Sequence, residues 1–328
     1  MNVAGGEALR LTSPVERAME APTPVRFASR LAQILASGTF AVTAEVTPNA
    51  SGSPDQVFAQ VRAMKGCADA FNVTDCTRAL VRISSLAASA LLLREGVEPV
   101  TQMVTRDRNR IALQADVLGA HALGVRNLLC LRGDDPKVGN EPDATPVFEY
   151  TTEQFLALAK RLRETGALAG GEVVQDPPEL FLGAAANPFG GPPEEAVVNL
   201  RGKVDAGADF IQTQAVYDVD TFEEWMRLVR KEWLHEKVHI LAGLIPLKSA
   251  KMARFLDEKV SGITVPTAVK ERMSNAADPK AEGVRIALET IEAFRRIEGI
   301  RGVHLMAVGW EDIVPKIVTK AGLHPRPS

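Results

Sequence analysis

The chain is poor in the residues that announce a metal centre, a disulfide framework or a membrane span. It has three cysteines, Cys67, Cys76 and Cys130. An odd number without CxxC spacing argues against disulfides and a zinc site and fits a reducing compartment. The five histidines (His121, His235, His239, His304 and His324) are scattered, with no HxH or HExxH pattern. No metal is therefore expected, and His239 and His304 read as core or wall residues. Aromatic residues make up 5% of the chain, which points to an aliphatic interior of the α/β kind. The net charge is only −3, so no global field recruits nucleic acid or an anionic membrane, and any phosphate binding has to be local. The longest mostly apolar stretch, Leu86–Leu93, is far too short to span a bilayer. Met1–Arg26 lacks the apolar core of a secretory signal, so the expectation is a soluble, cytoplasmic protein.

Three further absences narrow the chemistry. No Gly-x-Ser-x-Gly elbow or Cys–His pairing occurs, which disfavours a covalent hydrolase. No predicted strand contains a lysine, which disfavours a Schiff-base aldolase. The G-x-G-x-x-G fingerprint is missing after every strand, which disfavours an open doubly wound sheet.

What is present is a repeating alternation. Apolar strand-like runs occur at Phe40–Val46, Ala70–Thr74, Val97–Val104, Asn127–Leu131, Leu180–Ala186, Phe210–Gln214, His239–Leu244 and Gly302–Val308. Amphipathic helical segments separate them around Pro54–Lys65, Leu86–Glu95, Arg110–Leu123, Thr152–Thr165, Pro193–Ala206, Asp220–Glu232 and Ser249–Glu258. Gly124, Gly166 and Gly207 fall where those helices should end. Eight strand–helix repeats in order predict a (β/α)8 barrel. The interval Lys259–Arg301 is too long for one crossover and reads as an insertion between strands seven and eight, with a helix near Glu282–Arg296. Residues 1–30 read as an N-terminal arm and 31–328 as one barrel domain. The loops Asp134–Thr145 and Gly170–Pro178 are candidates for lids or partner contacts.

Polar residues at the C-terminal ends of barrel strands are where chemistry collects. Glu45 interrupts the apolar strand Phe40–Val46. Facing the barrel mouth it would be desolvated, its pKa raised, and suited to general acid work; facing outward it would pair with a helix cation. The run Leu128–Leu131 stops on Arg132-Gly133-Asp134. Arg132 suits a phosphate or carboxylate, and Asp134 suits the edge of an amino-pyrimidine; the two can equally cap a tight glycine turn. Gln214 ends strand six and offers a donor and an acceptor to a heterocycle or to a neighbouring loop. Thr74-Asp75 ends strand two. Arg106, Arg108 and Arg110 after strand three are a possible anion clamp or a solvated helix start with Asp107 or Asn109 as cap. Lys203 can reach a phosphate from its helix or simply be solvated.

The ordered set Thr-Ala-Glu45-Val-Thr-Pro, Asn-Val-Thr74-Asp, Cys-Leu-Arg132-Gly-Asp134, Lys203-Val-Asp-Ala-Gly-Ala-Asp, Thr-Gln214 and Ala-Gly-Leu-Ile-Pro246 resembles the methylenetetrahydrofolate reductase family over roughly Phe40–Gly322. The resemblance implies a flavin-binding (β/α)8 barrel. It also implies reduction of 5,10-methylenetetrahydrofolate to 5-methyltetrahydrofolate by hydride transfer, within the one-carbon metabolism that feeds methionine biosynthesis. In the family, the residue matching Glu45 opens the five-membered ring by acid catalysis. The residue matching Asp134 lies between flavin and pterin and binds the folate, and the one matching Gln214 holds the pterin. Thr74, Arg132 and Lys203 match positions around the flavin and its phosphates.

Other positions depart from the family. Glu45-Val-Thr-Pro-Asn stands for Glu-Phe-Phe-Pro-Pro, and Gln102 stands for a histidine beside the flavin. After strand five, where Ala186 and Asn187 match cofactor-binding positions, Asn187 and Gly191 replace an aromatic and a histidine near the adenosine. Ala196 replaces an aspartate at the ribose, and Ala250 falls where bacterial relatives stack the nicotinamide. The expected cofactor is FAD, with FMN or no flavin as alternatives, and the expected donor is NADH, NADPH or a partner subunit. The segment His304–Asp312 is similar to that of acetogen-type relatives, which often work beside a second subunit. A homo-oligomer is expected, and the alternative function is a folate-binding or flavin-free subunit of a larger methyl-transfer or reductase complex.

Overall fold

A computed structural model describes residues 27–260 and 262–327 of the chain. Eight parallel strands close in sequence order into a barrel. They are β1 (Ala41–Val46), β2 (Ala70–Val73), β3 (Pro99–Val104), β4 (Asn127–Leu131), β5 (Phe181–Ala186), β6 (Phe210–Ala215), β7 (His239–Leu244) and β8 (Ile300–Leu305). Helices α1 (Arg30–Ala36), α2 (Asp55–Met64), α3 (Ser85–Arg94), α4 (Arg110–Leu123), α5 (Thr152–Thr165), α6 (Pro193–Asp205), α7 (Val219–Lys231) and α8 (Ala250–Lys259) follow in order. Then come α9 (Thr267–Asn275), α10 (Pro279–Arg296) and, after the last strand, α11 (Val314–Lys320). The (β/α)8 expectation holds, and so does the insertion before β8, which contains α9 as well as the expected helix. Most of the arm expected over 1–30 lies outside the described residues.

Two apolar compartments support the barrel. The larger fills the space between strands and outer helices, where Val42, Phe71, Leu128, Phe222 and Trp225 are buried. The smaller lies inside the barrel near its N-terminal end. There Ala41, Ala70, Val100, Leu129, Phe210 and Leu241 meet Leu31, Ile34 and Leu35 of α1. Helix α1 thus plugs the floor. Ser29 caps it by accepting the Ala32 N–H at 3.0 Å, and Glu98 accepts the N–H groups of Arg30 and Leu31 at 2.8 and 2.9 Å. A carboxylate is well placed there, at the positive end of the helix dipole.

The C-terminal segment is tied to the same floor. Asp69 has a side chain that is 0% exposed; it accepts the Val42 N–H at 2.8 Å and two bonds from Arg326 at 3.0 and 2.6 Å. Arg326 is itself only 5% exposed and also donates to the Phe40 carbonyl.

Several element ends depart from expectation. Strand β8 starts at Ile300 and stops at Leu305, three residues earlier than expected at the far end, because Val308 and Trp310 turn back to bond Met306 and Ala307. Helices α1, α9 and α11 are additional. Helix α5 is capped by Thr151, whose side chain and that of Gln154 form a capping box, and α7 starts at Val219, one residue before the expected segment, capped by Asp218. The 170–178 loop joins α5 to β5, so it lies on the floor side and cannot act as a lid over the mouth. Among the described residues, no helix is long and apolar enough to cross a membrane.

The floor lock gives the first prediction. Asp69→Asn leaves the buried Arg326 guanidinium without its counter-charge and should lower unfolding stability by about 3 kcal/mol or more, read as a fall in the denaturation midpoint.

Candidate active site

Above the apolar floor the interior turns polar. Thr43 and Glu45 sit two residues apart on β1 and so share a face. Asn72 on β2, Gln212 on β6 and His304 on β8 complete a buried layer. Asn72 and Gln212 exchange side-chain amide bonds at 2.5 and 2.9 Å. Gln212 Nε2 also donates to Thr43 Oγ1 at 3.1 Å, and Thr43 Oγ1 meets His304 Nδ1 at 2.9 Å. Burial without a partner would cost each of these groups about 1–3 kcal/mol, which explains why they are linked into one chain.

On this layer opens a cavity of about 310 Å³ whose wall includes Glu45, Gln102, Arg132, Asp134, Gln214 and His304. Two backbone irregularities lie beside these groups. Gly133 has φ +87°, and a Cβ there would lie 3.0 Å from Val104 Cβ; the turn that presents Asp134 needs glycine. Between β6 and β7 the register slips from Gln212↔Leu241 to Ala215↔Gly243, so three steps on β6 oppose two on β7. Gln212 and Gln214 share the inward face of β6 by the strand's period of two, and the bulge lies where bulges are common, beside a site. Gly243 permits it, since a Cβ there would fall 2.2 Å from the Thr213 carbonyl oxygen.

Glu45 is 14% exposed. Its hydrogen-bond partner among the described residues is the Thr47 hydroxyl, donating to Oε1 at 3.4 Å. Burial raises its pKa to about 7; the Thr47 bond opposes that rise, and the negative charge of Glu311 adds to it. His304 stands with Nε2 3.9 Å from Glu45 Oε2, and burial lowers its pKa to about 3. The pair is therefore a neutral imidazole beside a carboxyl that is largely protonated up to neutral pH.

Asp134 is exposed at the rim and accepts the Arg78 backbone N–H at 2.8 Å. That amide belongs to a turn in which Cys76, Arg78 and Ala79 all have positive φ. Non-glycine residues held this way cost about 1–3 kcal/mol each, so Asp134 helps to hold a strained segment at the mouth. Arg132 lays its guanidinium 3.9 Å from the centre of the Phe148 ring, a cation–π contact. A second cavity of about 470 Å³ lies between α2 and the turn after β8; Thr47 lines it along with Gln60, Arg82 and Glu311.

The structure therefore brings Glu45, Gln102, Arg132, Asp134 and Gln214 to one cavity. It does not bring Thr74, Ala186, Asn187 or Lys203 to that wall. Thr74 is buried, and its hydroxyl has no hydrogen-bond partner among the described residues. Ala185, and not Ala186, lines the cavity. Asn187 Oδ1 accepts the Phe189 N–H at 3.1 Å, and its amide fills the space beside Gly190 and Gly262. Lys203 donates to the Ala185 carbonyl at 2.8 Å and to Asn199 at 2.6 Å; burial lowers its pKa. The anion clamp after β3 is overturned. Arg106 pairs with Asp107, Arg108 with Asp75 and Asp116, and Arg110 with Glu149, so these guanidiniums are engaged with carboxylates of the chain. Asn109 caps α4, as one reading of that segment expected.

Sequence reasoning missed Thr43, Asn72 and Gln212 and left His304 as core or wall. The signal was available in the strand period: each is a polar residue within a run of buried apolar neighbours.

A flavin, the group that the resemblance implies, meets a divided site. On the cavity wall, the buried Gln102 amide and the small Ala185 suit a polar-edged planar ring. Lys203 and Asn187 are already bonded to the protein, so the adenosine and second-phosphate end finds no free group among them. The residues fit the ring portion of a flavin.

The family model for methylenetetrahydrofolate reductase matches residues 30–322. The chain belongs to the methylenetetrahydrofolate reductase family. Methylenetetrahydrofolate reductase 1 of Schizosaccharomyces pombe is 30% identical over 219 residues, covering 64% of this chain and 33% of that protein. 5,10-Methylenetetrahydrofolate reductase of Pectobacterium carotovorum is 23% identical over 240 residues, covering 71% of this chain and 72% of that one. The chain thus spans about a third of the length of the first eukaryotic relatives it matches. Among solved structures it is similar to an uncharacterized Clostridium thermocellum protein described as binding two copies of 5-methyl-5,6,7,8-tetrahydrofolic acid. That likeness has a TM-score of 0.62 and 15% identity, covers 89% of this chain and 97% of that one, and shows the shared barrel fold.

The raised pKa of Glu45 has a consequence for stability. A carboxyl near 7 when folded and near 4.5 when unfolded leaves the folded state holding the extra proton between those values. Stability therefore falls as pH rises from about 4.5 through about 7. Glu45→Gln should remove that part of the fall, so that the variant is more stable than the parent at pH 8; urea midpoints at pH 5 and pH 8 check it.

Proposed function

We propose that the protein reduces 5,10-methylenetetrahydrofolate to 5-methyltetrahydrofolate, with Glu45 as general acid and Asp134 and Gln214 as the pterin cradle. The observation that carries this reading is Glu45, a buried carboxyl with its pKa near 7, on the same wall as a rim carboxylate and an amide. A general acid works best when its pKa lies near the working pH. Protonation of the departing ring nitrogen by Glu45 breaks the bond from that nitrogen to the one-carbon bridge, leaving an iminium that can accept a hydride. Asp134 supplies an acceptor for the amino-pyrimidine N–H groups, a bond that its present Arg78 N–H partner makes at 2.8 Å. Gln214 offers a donor and an acceptor to the same ring. The second cavity lies beside the first, with Thr47 of its lining bonded to Glu45, and its volume supports room for the long arm of a folate.

Gln102 and Arg132 would hold the ring of a flavin. The chemistry that such a group supplies is transfer of a hydride to the one-carbon bridge. The donor is NADH or NADPH, with a partner subunit as the alternative source, and this reading places the protein in the cytoplasm, in the one-carbon supply to methionine.

The absorbance spectrum of the purified protein should show bound flavin, and the mass of the released chromophore decides between FAD and FMN. A colourless protein that takes up neither would favour the alternative, a flavin-free folate-binding subunit. In the loaded protein, Glu45→Gln should leave flavin reduction by the donor unchanged and slow folate turnover by about 10²-fold or more. Unaltered turnover would remove Glu45 from the mechanism.

A further inference from the structure

Strand β8 brings His304 to the carboxyl on β1, and the buried layer decides which of its nitrogens carries the proton. Thr43 is 0% exposed and has one hydroxyl proton to give. Gln212 Nε2 donates to its oxygen, while the Gln212 carbonyl oxygen accepts from Asn72. The acceptor left for the Thr43 proton, among the described residues, is His304 Nδ1 at 2.9 Å. A neutral imidazole that accepts at Nδ1 carries its proton on Nε2. That N–H lies on the Glu45 side of the ring, 3.9 Å from Oε2.

We propose that His304 is a positioning residue for Glu45: its Nε2–H closes onto the carboxylate that forms when Glu45 gives up its proton, and the Thr43–Gln212–Asn72 chain holds the tautomer that makes this contact. The inference rests on Glu45 acting as the acid. In that step the Glu45 O–H bond breaks, the proton passes to the departing substrate nitrogen, and the negative charge stays on Glu45. His304 lends a hydrogen bond without transferring its proton, and a proton from solvent resets the carboxyl.

The separation is 3.9 Å; a neutral carboxyl has no charge to draw the N–H inward, and such contacts commonly tighten only in the reacting complex. Burial keeps the imidazole neutral through the working range, so His304 stays a fixed dipole and adds no titration of its own there. The other groups facing Glu45 act differently. Glu311, after β8, opposes its ionisation, Thr47 donates weakly to the other oxygen, and Arg132 and Asp134 line the same cavity from the end of β4.

The test needs no substrate. Protein carrying ¹³C at its glutamate carboxyl carbons reports the Glu45 titration, with the resonance assigned by its loss in Glu45→Gln. In His304→Phe the Glu45 midpoint should rise by about one pH unit, a tenfold change in its acid–base ratio, because the carboxylate loses its donor. His304→Gln, which presents an amide N–H to the same side, should restore most of the parent midpoint. Thr43→Val frees the tautomer and should give a smaller rise; it carries the test if His304→Phe does not fold. In turnover, the alkaline limb of the pH–rate profile should move upward with the midpoint. An unchanged midpoint in His304→Phe overturns the proposal, and so does a fall, which would mean that Nε2 presents its lone pair to Glu45. If the midpoints move as stated while the parent protein fails to turn over methylenetetrahydrofolate, the positioning role stands and the folate reading fails.

Discussion

The constraint on which the rest of the structure depends is the need to satisfy a polar layer inside a closed barrel. Below that layer the interior is ordinary apolar packing, closed by three residues of α1. Above it is the open mouth. Thr43, Asn72, Gln212 and His304 come from strands that touch only some of their neighbours, yet they form one continuous chain of hydrogen bonds. An apolar layer at this height would stabilise the barrel at least as well. The polar one fixes the relative rotation of β1, β2, β6 and β8, because a slip on any of these strands would strand a buried donor or acceptor. The same rigidity gives Glu45 a defined neighbour on one side and Thr47 on the other.

Stability and chemistry are divided between the ends of the barrel. The floor holds the well-compensated charges: Asp69 with Arg326, and Glu98 with the first N–H groups of α1. Each carboxylate there has N–H donors at or near ideal distance. The mouth has the reverse arrangement. Glu45 is desolvated and faces a neutral imidazole, with one weak hydroxyl bond, and the turn beside Asp134 holds three non-glycine residues at positive φ. These features lower stability where they stand, and the apolar packing beneath them tolerates it. A carboxyl near pH 7 and a strained rim are costly features for a scaffold; for an acid catalyst beside a ligand that must enter and leave, they are useful.

Much of the fold was legible because the strands are apolar and the helices amphipathic, and the two periods alternate eight times. Legibility failed where local and tertiary effects compete. The far end of β8 was misplaced because Met306 and Ala307 are as apolar as the strand itself, and only the turn that Val308 and Trp310 make with them ends it. Helices α1 and α9 were missed because each is short, seven and nine residues, and α9 buries only Met273. In the candidate site, Glu45, Asp134 and Gln214 stood out as polar residues at apolar strand ends, and the structure gathers them. Arg106, Arg108 and Arg110 looked like an anion clamp because most of the carboxylates that engage them are distant in sequence: Asp107 is adjacent to Arg106, but Asp75 follows β2, Asp116 lies on α4 and Glu149 on the loop before α5. His304 looked like core because a lone histidine in a strand usually is. What sets it apart is its pairing with Thr43, which the sequence separates by 261 positions.

The departures from the family pattern follow a physical order. Residues that touch the reacting centre in the proposed reaction, Glu45, Asp134 and Gln214, keep their chemical type. Those that would hold the far end of a dinucleotide-sized flavin, from Asn187 through Ala196, do not, and Lys203 is turned to the Ala185 carbonyl and Asn199. An acid, a pterin acceptor and a ring edge impose strict demands on distance and angle, since hydrogen-bond strength falls steeply with geometry. A phosphate or adenosine tail can be held from many directions or released to solvent with modest loss. Beyond β5 the edge of the cavity runs between Ala185, which lines it, and Asn187, which does not; Gln102 is the departure that stands on its wall.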